Sequence, residues 1–254
     1  MKIQGWGVSD VGRKRDHNED SFVSNDALSL YAVADGMGGH LGGERASRMA
    51  VDLVESAIAA ALARRAGADA VTLGSGGLPP LAQVLKDAVV GADRSIYDSA
   101  LADPAFTGMG TTLTALFFAD RRAYLGHVGD SRAYLYRDGK ARQLTDDHSW
   151  IQDQVRAGLL TQEEAKESRF RNIITRSVGF EPSVQPDMQD LIVQAGDCYL
   201  LCSDGLSNYL SLEEIAQVLT TNFYRDAPRV LVGMANERGG DDNVTCICIA
   251  AAND

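Results

Sequence analysis

The sequence has no long apolar stretch. No uninterrupted one is longer than that at residues 57 to 63, which ends at Arg64 and Arg65, far short of the roughly 20 residues that a membrane-spanning helix needs. The first residues also lack the apolar segment of a secretion signal. We therefore expect no membrane association and a cytoplasmic location.

Positive charge is also scarce. Lys and Arg number 24 against 35 Asp and Glu, which gives a formal net charge of −11. Such a surface repels nucleic acids, so we expect no nucleic-acid partner. It repels phosphate as well, so any phosphate chemistry would need local positive charge from arginine or from metal ions.

Cysteine is limited to Cys198, Cys202, Cys246 and Cys248. Each pair has even spacing on a strand-like run, so its two members share a face. The spacing does not match a usual zinc site, and no histidine is near enough in sequence to help. We interpret the four as small buried hydrophobic residues of a protein from a reducing compartment.

The length of 254 residues allows one large domain. The Gly- and Pro-rich stretch 66–80 is interpreted as a surface loop, because a helical pattern resumes directly after it. Apolar runs predict strands over 3–10, 21–23, 27–34, 111–118, 123–128, 133–136, 142–144, 190–194, 198–202 and 244–250. Helical spacing predicts helices over 42–65, 81–100, 211–221 and 226–237, with two short ones between 150 and 175. Short connections indicate an antiparallel meander over 110–144 and a hairpin around 195–197.

Carboxylates stand at the ends of several predicted strands. They are Glu19 and Asp20, Asp35, Asp130, Asp204, and Asp241 with Asp242. Each alone is ordinary, since Asp is common in turns. If they meet in space, they repel and raise one another's pKa, which hard cations relieve. A set of oxygen ligands without imidazole or thiolate favours Mg²⁺ or Mn²⁺ over zinc.

An arginine accompanies these carboxylates. Two divalent ions about 4 Å apart can bridge a water, lower its pKa and aim it at a phosphorus atom. The protein must then hold the phosphate, and Arg15 offers a planar fork suited to two phosphate oxygens.

Other chemistries fit the sequence less well. Gly36 and Gly38 match the first half of a dinucleotide-binding loop, but Leu41 stands in place of its third glycine. No cysteine has an arginine six positions later, as a cysteine-dependent phosphatase requires. Ser75 and Ser131 each miss one glycine of the Gly-x-Ser-x-Gly pattern of serine hydrolases. No Gly-x-x-x-x-Gly-Lys stretch supports a P-loop ATPase.

Seven motifs occur in the order seen in a known family. They are Arg15-x-x-Asn18-Glu19-Asp20, Asp35-Gly36-Met37-Gly38-Gly39, Gly110-Thr111-Thr112, Gly129-Asp130-Ser131-Arg132, Asp147-His148-Ser149, Ser203-Asp204-Gly205 and Gly239-Gly240-x-Asp242-Asn243-x-Thr245. The chain thereby resembles the metal-dependent type 2C (PPM) protein phosphatases, in their compact bacterial branch. Each motif alone is weak, but seven in order over nearly the whole chain are specific.

The resemblance implies an α+β fold, a four-layer α-β-β-α sandwich of two antiparallel sheets flanked by helices. It implies one catalytic domain over 1–254 with a flap at about 150–175, and hydrolysis of phosphoserine and phosphothreonine in proteins. Two Mn²⁺ or Mg²⁺ ions, with a weaker third, are implied as cofactors.

The same resemblance implies roles for individual residues. Asp35 would bridge two metals, Asp204 and Asp242 would complete one of them, and Glu19 with the Gly36 carbonyl the other. Asp130 would hold the third metal with Asp204. Asp20 would orient the attacking water, Arg15 would bind the substrate phosphate, and Asn243 would support the metal ligands.

The sequence departs from the family pattern at two places. Animal members have a histidine directly after the Asp-Gly pair as a proposed general acid. Met37 stands there, and His40 comes three residues later, so the general acid stays unassigned. The stretch 168–171, Ser-Arg-Phe-Arg, replaces the His-Pro common in bacterial relatives, so flap recognition is expected to differ.

A rival interpretation is a catalytically silent relative that binds phosphoproteins as a regulator. Lost metal ligands would mark such a protein, and the sequence lacks none of them. We expect phosphorylated proteins as partners, with a Ser/Thr kinase among them and a role in signalling. The residues do not identify the physiological substrate, the metal used in vivo or the oligomeric state.

Overall fold

A computed structural model describes residues 1–67, 80–168, 170 and 173–253. The strands are β1 (Lys2–Asp10), β2 (Asp20–Asn25), β3 (Leu30–Met37), β4 (Gly110–Thr111), β5 (Leu113–Ala119), β6 (Arg122–Val128), β7 (Arg132–Arg137), β8 (Lys140–Gln143), β9 (Asp187–Ile192), β10 (Cys198–Cys202) and β11 (Val244–Ala252). The helices are α1 (His40–Ala66), α2 (Leu81–Ala102), α3 (Trp150–Arg156), α4 (Gln162–Glu167), α5 (Asp204–Ser207), α6 (Leu212–Thr221) and α7 (Ala227–Glu237). None of the helices in these ranges has the length and apolarity to cross a bilayer.

The strands form two sheets. The first has the order β1-β11-β10-β7-β8 and the second β2-β3-β5-β6-β9, with β4 paired to the end of β3. Every pairing is antiparallel.

Alternating side chains of the strands fill three layers of core. In β10, Tyr199 and Leu201 face the other sheet, whereas Leu200 and the cysteines pack against helices. The same alternation in β3 places Tyr31 and Val33 between the sheets and Leu30, Ala32 and Ala34 against α1 and α2. The predicted α-β-β-α sandwich is therefore confirmed.

The four cysteines are all buried in the core between the first sheet and helices α6 and α7. Burial raises the pKa of the Cys202 thiol to about 12. This agrees with their interpretation as small hydrophobic residues.

Two predicted strand pairings are wrong. β6 and β7 belong to different sheets, so the chain crosses the sandwich at residues 129–131. Gly129 makes the crossing with a φ of 109°, and Thr112 lies where its side chain would be. Likewise β9 pairs with β6, and β10 with β7 and β11, so residues 193–197 form a second crossing and not a hairpin. Short connections excluded parallel crossovers, but they did not exclude a change of sheet.

Two element boundaries also differ from the prediction. The third strand was predicted over 27–34 but spans Leu30–Met37, because Gly36 and Met37 pair with β4. A short helix, α5, begins at Asp204, where no helix was predicted. The predicted loop 66–80 lies mostly outside the described residues. The predictions of a single domain and of a flap at 150–175, which contains α3 and α4, remain predictions.

Candidate metal centre

Two neighbouring strands bring the first pair of carboxylates together. β2 and β3 are antiparallel, and Asp20 is paired with Asp35 in their register. Because Asp20 opens β2 and Asp35 lies near the end of β3, both belong to the same edge of the second sheet. This is the juxtaposition that the sequence predicted if the two strands were adjacent.

The first sheet adds two more aspartates. Asp204 follows β10, Asp242 precedes β11, and these strands are paired. Asp130 comes from the crossing between β6 and β7. The pKa of Asp35 is raised well above its usual value. Burial is the largest cause, and the negative charges of neighbouring aspartates raise it further, namely Asp20, Asp204, Asp130 and Asp242. Five aspartates from two sheets therefore share one electrostatic environment.

Asp20 shows how this environment acts on one group. Burial raises its pKa to about 7, although hydroxyl donors from Thr245 and Ser203 oppose the shift. The Ser203 hydroxyl donates to Asp20 Oδ2 over 2.8 Å. The charges of Asp204 and Asp242 raise it further. The carboxyl is thus oriented by the protein through Oδ2.

Unpaired oxygen atoms indicate what would stabilise the cluster. Asp20 Oδ1, Asp130 Oδ1 and Asp204 Oδ1 are buried without a hydrogen-bond partner. Buried polar atoms are normally paired, so these three need an explanation. Mg²⁺ and Mn²⁺ bind negatively charged oxygen ligands such as carboxylates. The residues present therefore fit such ions. As they are placed, no three His, Cys, Asp or Glu side chains among the described residues form a group that could hold a metal ion.

Glu19 approaches the same edge against the start of α1. The Gly36 N–H donates to the Glu19 carbonyl over 3.1 Å, and the Glu19 carboxylate contacts the backbone at Gly43. A side chain at Gly36 would collide with the Gly43 carbonyl, and one at Gly43 with the Glu19 carboxylate. Both glycines are therefore required by the close approach of helix, strand and carboxylate.

Asn243 connects three segments around the cluster. Its Oδ1 accepts from the Glu19 N–H over 2.8 Å, and its Nδ2 donates to the carbonyls of Val11 and His17 over 2.9 Å each. This fixes the loop that carries Glu19 and Arg15 relative to β11. The arrangement agrees with the supporting role that the resemblance implied.

Arg15 lies at the cluster but is paired with one of its carboxylates. Its Nη2 donates to Asp242 Oδ2 over 2.7 Å. Burial lowers the pKa of Arg15, but Asp242 outweighs this and the pKa is raised overall. Of the two adjacent aspartates at 241 and 242, the first forms an ion pair with Lys14 instead.

Asp130 is held through its neighbours. The hydroxyls of Ser131 and Thr112 are 2.7 Å apart, and Thr112 Oγ1 accepts from the Asp35 N–H over 2.9 Å. The Gly129 N–H donates to His148 Nδ1 over 3.1 Å. The crossing between the sheets is thus tied both to Asp35 and to the segment before α3.

Some of these contacts were not anticipated. Ser203 and Thr112 belong to recognised motifs, but no role followed from the sequence alone. Ser47, whose hydroxyl donates to the Glu19 carbonyl over 2.6 Å, carried no signal beyond its place on α1. The side chain of His40, together with Arg169 and Arg171, lies outside what the structure describes.

Comparison with known proteins decides the family. The profile of the family described as Protein phosphatase 2C matches residues 12–237. The chain belongs to the protein phosphatase 2C family. The resemblance inferred from the seven motifs is thereby confirmed.

Curated members of the protein phosphatase 2C family resemble the chain over nearly its whole length. Protein phosphatase PhpP of Streptococcus pneumoniae is 36% identical over 248 residues, which are 96% of this chain and 95% of PhpP. Serine/threonine protein phosphatase PstP of Mycobacterium tuberculosis is 40% identical over 240 residues, 94% of this chain but 43% of PstP.

Solved structures of the same family share the fold. The M. tuberculosis serine/threonine phosphatase PstP/Ppp superposes with a TM-score of 0.86 at 37% identity, covering 100% of both chains. The catalytic domain of PstP in complex with two manganese ions gives a TM-score of 0.82 at 36% identity over 99% of both chains. The sandwich described above is therefore that of the protein phosphatase 2C family.

Proposed function

We propose that this chain is a metal-dependent protein serine/threonine phosphatase that hydrolyses phosphoserine and phosphothreonine in proteins. The observation that carries the proposal is the set of buried, unpaired carboxylate oxygens on Asp20, Asp130 and Asp204. Such oxygens at one edge of the sandwich need cations, and the related PstP domain was solved with two manganese ions.

The proposed metal ligands come from both sheets. Asp35 would bridge two Mn²⁺ or Mg²⁺ ions, one completed by Asp204 and Asp242 and the other by Glu19 and the Gly36 carbonyl. Asp130 with Asp204 would hold a weaker third ion. When bound, these ions would lower the pKa of a water molecule and neutralise charge on the phosphate.

The chain's own residues supply orientation. Asp20, fixed through Oδ2 by Ser203, would direct the attacking water with its other oxygen. Arg15 would donate to two phosphate oxygens, which requires that it exchange Asp242 for the substrate. Asn243 holds the Glu19 backbone in place. Water would then attack phosphorus directly as the bond between phosphorus and the Ser or Thr oxygen breaks, which releases the free hydroxyl side chain and inorganic phosphate without a phosphoenzyme.

The catalytically silent alternative has little support. Every residue proposed as a metal ligand is present, and the buried cluster has kept its unpaired oxygens. A binding module that had lost catalysis would be expected to replace or neutralise at least one of these carboxylates, because they cost stability when unpaired. No observation on this chain favours that alternative.

We further propose phosphorylated proteins as partners, with a Ser/Thr kinase among the substrates, in a cytoplasmic signalling role. Support comes from the bacterial relatives named as serine/threonine phosphatases. No residue described here identifies the kinase. Phosphoproteomics of a deletion strain would test this by revealing which phosphosites accumulate.

The enzymatic proposal is tested with p-nitrophenyl phosphate and a phosphothreonine peptide. Hydrolysis should require Mn²⁺ or Mg²⁺ and disappear with EDTA. Arg15→Ala should mainly raise KM, because it removes a phosphate contact. A rate that persists without metal, or a trapped phosphoenzyme, would refute the mechanism, whereas metal binding without turnover would favour the silent alternative.

A further inference from the structure

A large polar cavity begins at the metal centre and extends beyond it. Its volume is about 910 Å³, and Asp130 and Asp204 lie in its wall. One side is formed by Ser149, Ile151 and Gln152 around the start of α3, and the other by the residues from Ser207 to Glu214. Since binding pockets for whole drug-sized ligands span roughly 300–1,000 Å³, this volume greatly exceeds the needs of one phosphorylated side chain.

The charges in the cavity wall have one dominant sign. Six carboxylates line it, of which Asp130 and Asp204 are proposed metal ligands and Asp146, Asp147, Glu213 and Glu214 are not. The guanidinium lining it among the described residues is Arg132, which donates to both oxygens of Asp147 over 2.9 and 2.7 Å. The charge of Arg132 is therefore already balanced by Asp147, which leaves an acidic ligand little net attraction there.

Two further arginines hold wall carboxylates without lining the cavity. Arg156 Nη2 lies 3.1 Å from Asp146 Oδ2, and Arg238 pairs with Glu214. The pairing of Asp146 involves one oxygen, and its side chain is 72% exposed. Asp146 can therefore accept a second cation from within the cavity.

A buried hydroxyl in the wall also lacks a partner. Ser207 is 9% exposed, lines the cavity, and its Oγ makes no hydrogen bond. It lies on α5, one turn after Asp204. Because buried polar atoms are normally paired, this hydroxyl indicates a ligand that donates or accepts a hydrogen bond beside the metal centre.

We propose that this cavity binds the polypeptide flanking the phosphorylated residue of a substrate, and that it selects segments carrying Lys or Arg. The inference rests on the proposed function, since the phosphate at the metal centre would place the flanking chain in the cavity. The basic side chain contacts Asp146 and the carboxylates of α6. Ser207 hydrogen-bonds to the peptide backbone. Acidic flanks are disfavoured by repulsion.

The test compares two phosphopeptides with the same central phosphothreonine, one flanked by Lys and the other by Glu. The wild type should show a kcat/KM about tenfold higher for the Lys peptide, equivalent to one or two partly exposed ion pairs. The preference should shrink at high salt because the contacts are screened.

Asp146→Asn should lower that preference by about threefold to fivefold. Asp153→Asn is the matched control, because Asp153 also pairs with Arg156, over 3.7 Å, but does not line the cavity. It should leave the preference unchanged. Equal cleavage of the two peptides by the wild type, or equal effects of the two variants, would overturn the proposal.

A binding measurement separates this proposal from the proposed function. Fluorescence anisotropy of the unphosphorylated Lys and Glu peptides reports the cavity without catalysis, and Mn²⁺-dependent hydrolysis of p-nitrophenyl phosphate reports the metal centre. Preferential binding of the Lys peptide without hydrolysis would refute the phosphatase and support the cavity. Hydrolysis without any peptide preference would do the reverse.

Discussion

Buried aspartates occur in this molecule in two different settings. Asp93 and Asp197 are each 1% exposed, and both oxygens of each accept hydrogen bonds. Asp93 receives the backbone N–H groups of Gly179 and Val184, and Asp197 is gripped by two nitrogens of Arg137 over 2.7 Å each. Asp20, Asp130 and Asp204, in contrast, each keep one oxygen unpaired.

The two settings distinguish aspartates with a structural role from aspartates with a ligand-binding role. A buried carboxylate supplied with donors by its own protein joins two segments and needs no ligand. Carboxylates that face one another without a cation destabilise the folded protein. Such a cluster is retained when a bound ligand offsets that destabilisation. The same residue type is therefore a structural support in one region and a candidate metal ligand in the other.

Replacing Asp35 tests the second setting and should have the largest effect. Asp35→Asn should lower kcat/KM at least about a thousandfold, since the proposed bridging ligand is lost. The melting temperature of the metal-free protein should not fall, because one repelling charge has gone. Activity with Mn²⁺ and thermal unfolding in EDTA are the measurements, with Asp52→Asn on the exposed face of α1 as control. Retained activity would break the comparison.

Replacing Asp197 tests the first setting. Asp197→Asn should lower the free energy of unfolding by about 2 kcal/mol, because it weakens a buried ion pair. The expected loss is smaller than for a fully buried pair because Arg137 is 29% exposed. Phosphatase activity of the folded protein should persist. Urea unfolding at fixed pH measures the change, and the neighbouring Asp138→Asn, on an exposed turn, provides the control. A loss of activity without loss of stability would contradict this assignment.

The sequence was sufficient to predict most elements and the candidate metal centre. Strand ends bearing carboxylates can be recognised because the apolar run before each is distinct, as for Tyr31 to Ala34 before Asp35. The family resemblance carried by the order of the motifs then predicted the α-β-β-α layers of the sandwich. Asp204 and Asp242 were expected to meet Asp35, and the electrostatic coupling of all three agrees with this.

The sequence was insufficient where the choice of sheet mattered. The residues around Gly129 or Gly196 predict a turn in either case, whether the chain folds back within one sheet or crosses to the other. What decides between them is packing across the sandwich, such as Val193 entering the core between the sheets and Arg137 binding Asp197. The hydrogen bond of Ser47 to the Glu19 carbonyl, just before β2, and that of Thr112 to the Asp35 N–H in β3 are equally invisible in a pattern of residue types.

A smaller loss of stability is expected at Asp93. Asp93→Asn should cost about 1–2 kcal/mol, because an amide can accept from only one of the two N–H groups and turns a donor toward the other. The variant should also loosen the segment from Gly179 to Val184. Hydrogen exchange at these two amides measures the local effect, and Asp87→Asn on the exposed side of α2 serves as control. Unchanged protection would show that Asp93 is dispensable.

The smallest expected effect is a dependence on pH. The pKa of Asp20 is raised to about 7, so its contribution to stability is present in full below about pH 4 and is lost as the pH rises through about 7. Buried His127, with a pKa lowered to about 4, opposes this trend only below about pH 6.5. The metal-free protein should therefore melt about 1 °C lower at about pH 8 than at about pH 7. Mn²⁺ should reverse the trend, because it binds the deprotonated carboxylates of the folded state.

Thermal unfolding in EDTA and in Mn²⁺ measures both, and the slope should be shallower in Asp35→Asn. A metal-free melting temperature that rises over this range would contradict the raised pKa of Asp20.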